Sequence, residues 1–158
     1  MNAHAPDQLL VIGIGNDSRG DDGLGWRFLN HFESTRADIE WIYRYQLQIE
    51  DAELISSYQH VVFVDATRER PSGGFSFEPC RPEGEVSFSS HRQSPGAVLQ
   101  LAQELFQSDV SGYVLAIAGH QWDLGHGLSE AAQSNLKKAT QFFAMRYPCA
   151  CETAGSIL

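Results

Sequence analysis

Two short apolar runs, residues 9–15 and 61–64, set the strongest limit on what this chain can become. Both have strand length, and a strand apolar on every side has to be covered on both faces. A polar, glycine-rich turn, Gly15-Asn16-Asp17-Ser18-Arg19-Gly20-Asp21-Asp22-Gly23, follows the first run. Leu24, Phe28 and Phe32 then recur every fourth residue, which is one face of a helix. Residues 39–47, rich in β-branched and aromatic side chains, predict a second strand, and residues 50–58 a short helix. Residues 60–65 predict a third, buried strand closed by Asp65, with a polar segment running on through Gly74.

Residues 75–77 and 86–88 alternate over short distances and predict a strand pair. Ser94-Pro95 reads as a helix opening, with Ser as N-cap and Pro at the first helical position. The core face of that helix would be Val98, Leu101, Ala102, Leu105 and Phe106. Residues 113–118 predict another strand, ending at Gly119. The last helix begins near Ser129, with Glu130 in its first turn, and buries Ala132, Leu136, Ala139 and Phe143. Residues 1–7 and 148–158 are expected to be loosely held. Strands alternating with helices at this spacing predict βαβ units: one α/β domain over residues 1–158, a largely parallel sheet with helices on both faces.

Composition narrows the function classes. The 158 residues are 42% apolar, enough for one core. Eleven Lys+Arg against twenty Asp+Glu give a formal charge of −9, which argues against nucleic acid or an anionic membrane as partner, since both select clustered positive charge. No apolar run approaches the roughly 18 residues a spanning helix needs. Residues 1–8 contain no Lys or Arg, and the apolar stretch after them is too short for a signal peptide. The expectation is a soluble, cytoplasmic protein. Three cysteines, Cys80, Cys149 and Cys151, are too few and oddly numbered for a disulfide framework.

In a sheet of this kind ligands bind outside the carboxyl ends of the strands, so polar residues at strand ends carry the most weight. Gly13-Ile14-Gly15 invites a dinucleotide reading, but Ser18 stands where the third glycine of that fingerprint belongs. Asp17, Asp21 and Asp22 also lie where a pyrophosphate would rest. Carboxylates there suit a cation. Taken singly, Asp21 or Asp22 reads as a helix cap, Asp65 as the polar end of a buried strand, and His91 as a solvated loop residue. Taken jointly, two carboxylates and an imidazole at neighbouring strand or loop ends match the ligand set of a divalent transition metal with open positions.

Other chemistries find less support. There is no G-x-S-x-G elbow, and neither Cys80 nor Cys149 lies in a strand-to-helix turn. Two thiols at Cys149 and Cys151 in a frayed tail are more often incidental than a soft-metal site. His120 and His126 sit in residues 119–127, a loop that leaves a strand end and can line the same crevice. His4, His31 and His60 read as structural or exposed.

Gly13-Ile14-Gly15-Asn16 followed by Asp21-Asp22-Gly23-Leu24-Gly25 resembles the signature of the nickel–iron hydrogenase maturation endopeptidases. Val62-Phe63-Val64-Asp65-Ala66, Ser90-His91 ahead of a helix, and Gly127-Leu128-Ser129 opening the last helix extend the resemblance over residues 9–143. Such enzymes remove a C-terminal extension from the hydrogenase large-subunit precursor after nickel insertion. The resemblance implies a five-stranded twisted sheet between helices, and a trio of Asp22, Asp65 and His91 that contacts the metal and carries the chemistry. It implies nickel brought by the substrate instead of a tightly held cofactor. The free protein is expected to be monomeric. Asn16, Gln46 and Glu50 are the expected substrate contacts. One departure matters: many members carry an Asp-Gly-x-Thr-x-Gly stretch after the second strand, whereas here the segment reads Tyr45-Gln46-Leu47-Gln48-Ile49-Glu50-Asp51-Ala52-Glu53-Leu54. No role for that Asp carries over, and the Gln-Leu-x-x-Glu form resembles the branch serving NAD(P)-linked bidirectional hydrogenases. Two readings compete. One is a non-catalytic nickel-binding chaperone or assembly checkpoint. The other is a broad metallopeptidase, against which stands the lack of an H-E-x-x-H helix.

Overall fold

The structure, a computed structural model, describes residues 8–83 and 93–149. His91, the strand partner expected at residues 86–88, and the ends at 1–7 and 150–158 lie outside the described residues. The elements run β1 (Leu9–Ile14), α1 (Leu24–Phe32), β2 (Glu40–Arg44), α2 (Asp51–Ser56), β3 (His60–Thr67), β4 (Phe75–Cys80), α3 (Pro95–Phe106), β5 (Ser111–Ala118) and α4 (Glu130–Arg146). They build a five-stranded sheet in the order β2-β1-β3-β5-β4. The first four strands in that order are parallel, and β4 runs antiparallel to β5. This is the expected mostly parallel α/β architecture.

Two apolar layers cover the sheet. On one face Phe28, Leu29 and Phe32 of α1 and Ala132, Ala139 and Phe143 of α4 pack on Val11, Val62, Val64 and Leu115. On the other, Ala52 and Ile55 of α2 and Val98, Leu101 and Ala102 of α3 pack on Leu10, Ile12, Val61 and Phe63. The six residues of β1 are all buried, as its unbroken apolar run requires. α1 approaches the sheet through Gly25, where a Cβ would strike the carbonyl oxygens of Ile14 and Val64.

Local end signals fix α3 and α4. Ser94 and Ser129 have extended backbone, and their hydroxyls accept hydrogen bonds from the N–H groups of Ala97 and Ala132, both at 3.1 Å. Two expectations are revised, and β4 finds a partner in β5. β2 is shorter than residues 39–47; Leu47 leaves it and accepts a 3.0 Å hydrogen bond from the Gln93 N–H instead. Phe75 and Phe77 pair with Ile117 and Leu115, so among the described residues β4 stands at the edge of the sheet on β5, a place that tolerates Pro79. Leu105 and Phe106 are 57% and 45% exposed, because the last turn of α3 ends at the rim, where Gln107 takes the left-handed conformation at φ 53°.

Candidate active site

β1 connects through α1 to β2 on one side, while β3 lies on its other side. That reversal opens a crevice at the carboxyl ends of β1 and β3. Pairing between these strands ends at Gly13 with Val64, so Asp65 is the first residue of β3 beyond its β1 partners. Asp65 does not close its strand: β3 continues to Thr67, with Asp65 still opposite Ala116 of β5. One carboxylate oxygen of Asp65 accepts from the Ala66 N–H at 2.8 Å.

Asp22 arrives from the turn after β1. Asn16 shapes that turn: its Oδ1 accepts from the Ser18 N–H (3.0 Å) and hydroxyl (2.6 Å), and its own N–H donates to the Asp22 carbonyl at 3.1 Å. Gly15, at φ 148°, lies so close to that carbonyl that no side chain fits there. A short 3-10 turn, Gly20–Gly23, then presents Asp22 to the crevice. Asp22 and Asp65 line one polar cavity of about 500 Å³, together with Arg19, Arg68, Glu69 and Trp122. Among the described residues no three of His, Cys, Asp and Glu converge as a metal-binding group. Two carboxylates at an open cavity leave most positions of a divalent ion to other donors.

Asp21 behaves differently from either reading of it as a cap or a cation ligand. It is fully buried, and its carboxylate accepts from the N–H groups of His120 (2.6 Å), Gln121 (2.9 Å) and Ser129 (2.8 Å) and from the Ser129 hydroxyl (2.7 Å). α1 has no side-chain cap. Burial pushes this carboxyl up, but the hydrogen bonds from His120, Ser129 and Gln121 outweigh it and hold the group below its ordinary range. The clamp fixes residues 119–129 against the turn after β1, and with them Trp122 at the cavity wall. Sequence reading put this loop near the crevice but missed Trp122, Arg19 and Arg68, since only contacts between segments about fifty to a hundred positions apart gather them.

Gln46 and Glu50 line a second cavity, of about 610 Å³, with Trp26, Tyr43 and Tyr45. Its floor is rigid: Asp51 is buried, pairs with Arg44 at 3.0 Å, and accepts from the Gln48 N–H at 3.0 Å. The Trp26 indole donates to the Arg44 carbonyl at 3.0 Å, and Tyr45, 68% exposed, has its ring 4.9 Å from the Trp26 ring. Asn16 lines neither cavity. A groove of about 400 Å³ shares Asp65, Ala66 and Thr67 with the polar cavity and runs past Phe63, Val114, Ala116 and Cys80. Burial, aided by the nearby Glu83 charge, pushes the Cys80 thiol up to about 11, which disfavours the thiolate.

No family model matches the chain, and no curated protein matches it in sequence. Solved structures share its fold. The [NiFe] hydrogenase maturation protease HycI from Thermococcus kodakarensis KOD1 superposes with a TM-score of 0.66 at 23% identity, over 87% of this chain and 90% of that one. The hydrogenase 2 maturation peptidase from Thaumarchaeota archaeon SCGC_AB-539-E09 gives 0.65 at 19%, over 90% and 99%. The hydrogenase maturating endopeptidase HybD from E. coli gives 0.64 at 16%, over 88% and 91%. At these identities the likeness establishes a shared fold over nearly the full length of each chain.

Proposed function

We propose that this chain is a hydrogenase maturation endopeptidase, which cuts a C-terminal extension from the large-subunit precursor of a nickel–iron hydrogenase. The observation that carries the reading is Asp22 and Asp65 lining one cavity at the carboxyl ends of β1 and β3, in a fold shared with solved maturation proteases. A site with two described carboxylates is suited to a metal ion that the substrate brings with its own ligands, and nickel in the precursor is that ion. His91, which precedes α3 in the sequence, completes the trio that the sequence resemblance assigns. Engaging the substrate's nickel through Asp22, Asp65 and His91 distinguishes loaded from empty precursor and holds the scissile peptide in register. One of the carboxylates then serves as general base toward the attacking water. The groove that shares Asp65 gives an extended chain a path past the carboxylates, and the cavity holding Gln46 and Glu50 sets which hydrogenase is accepted. Among the described residues no helix is long and apolar enough to cross a membrane, and the enzyme meets its precursor in the cytoplasm.

Intact-mass spectrometry on a large-subunit precursor, nickel-loaded or nickel-free, tests this. Loss of a discrete C-terminal peptide from the loaded form alone is the expected result. Cleavage of both forms removes the metal-reading step and keeps the protease. A stable complex with no change in mass replaces the protease with the assembly-checkpoint reading.

A further inference from the structure

The polar cavity holds guanidinium groups as well as carboxylates. Arg68 follows the last residue of β3, and its guanidinium lies 4.4 Å from the centroid of the Trp122 ring. Stacking occupies the face of a guanidinium and leaves its N–H donors in the plane, arranged as the fork that matches a carboxylate. Trp122 makes a fixed bracket, because it stands on the loop that Asp21 clamps. Arg19 lines the same cavity. It bridges to Gly125 of that loop, and its carbonyl accepts from the Asp22 N–H at 3.1 Å. Ion pairs among the described residues join Arg36 to Asp38 and Arg44 to Asp51; neither Arg19 nor Arg68 takes part. In a chain with twenty acidic residues to eleven basic ones, a braced guanidinium and a second arginine lining the same cavity, neither in an ion pair among the described residues, are a feature to explain.

We propose that Arg68, braced on Trp122, and Arg19 form a carboxylate-binding subsite beside Asp22 and Asp65, and that it reads an acidic side chain on the protein substrate. The inference rests on the endopeptidase reading and names what that site recognises. The cavity carries both signs of charge, Asp22, Asp65 and Glu69 against Arg19 and Arg68. A substrate that presents a metal ion to the aspartates and a carboxylate to the arginines satisfies both signs at once. A free divalent ion meets the arginines with like charge, so the subsite also selects against stray metal.

The test compares wild type with Arg68→Gln and Arg68→Lys on the nickel-loaded precursor. Arg68 is exposed, so the substitutions leave the fold in place. Arg68→Gln is expected to raise KM about tenfold, with the loss falling on KM rather than kcat. Arg68→Lys recovers part of it, because an ammonium keeps the charge and loses the planar fork. Scanning the precursor's Asp and Glu residues to Arg identifies the recognised side chain as the one whose defect Arg68→Glu rescues. A second readout needs no cleavage: the Trp122 indole N–H resonance, identified by its loss in Trp122→Phe, moves on titration with acetate in wild type and stays still in Arg68→Gln. An unchanged KM for Arg68→Gln, or an indole resonance indifferent to acetate in wild type, overturns the subsite. A wild type that never cuts the precursor but still shows the acetate response overturns the endopeptidase reading and leaves the subsite standing.

Discussion

Asp21 and Asp22 are adjacent and chemically alike, and the fold gives them opposite surroundings. Asp21 accepts four hydrogen bonds from residues 99 to 108 positions further along the chain, while Asp22 faces the polar cavity. Replacing Asp21 by Asn puts an amide donor among three backbone N–H groups, which only donate, and a hydroxyl that already accepts from Ala132. We expect a loss of about 2–4 kcal/mol in urea denaturation, with slower cleavage because Trp122 loses its bracket. The pH dependence has a definite sign. A carboxyl whose folded pKa is depressed contributes fully above its unfolded value, near 4, and loses that contribution as pH falls through the lower folded value. The stability gap between wild type and Asp21→Asn therefore narrows on acidification below about pH 4. Asp22→Asn is expected to do the reverse: denaturation near that of wild type, and precursor cleavage slowed by about a hundredfold or more by intact mass.

Among the elements, α1 carries the tightest constraint. Its first turn lies on the ends of β1 and β3 through Gly25, so the position of Asp22 depends on how closely that helix can sit. Gly25→Ala is expected to cost about 2–3 kcal/mol by denaturation and to impair cleavage even in the folded fraction. Ser129 begins α4 and also donates to Asp21. Ser129→Ala should cost more than the roughly 1 kcal/mol of an ordinary cap, whereas Ser94→Ala should cost about that alone. What sequence disclosed follows from these same elements. The starts of α3 and α4 and the buried runs of β1 and β3 were legible because capping and apolar periodicity act over a few residues. β4's partner, the burial of Asp21 and the Arg68–Trp122 contact were not, because each is a meeting of segments distant in the chain. The exposed end of α3 shows the limit of periodicity: the pattern continues through Leu105 and Phe106 after the sheet beneath has ended.

At the scale of the whole molecule, the sheet separates two apolar layers that share strands but no side chains. Phe143→Ala on one face and Ile55→Ala on the other are each expected to cost about 3–5 and 2–5 kcal/mol. Being on opposite faces, they should add to within about 0.5 kcal/mol in the double variant, read from urea curves. The clamp at Asp21 has a consequence for how the molecule comes into being. Synthesis is vectorial, and the turn bearing Asp22 and the strand bearing Asp65 emerge long before Trp122 and Ser129 do. Until then Asp21 has none of its four donors, and the cavity has no wall on that side. A nascent chain interrupted short of residue 129 would hold both aspartates without the finished cavity. On the endopeptidase reading, the capacity to cut therefore arrives late in translation, after the last donors to Asp21 have emerged.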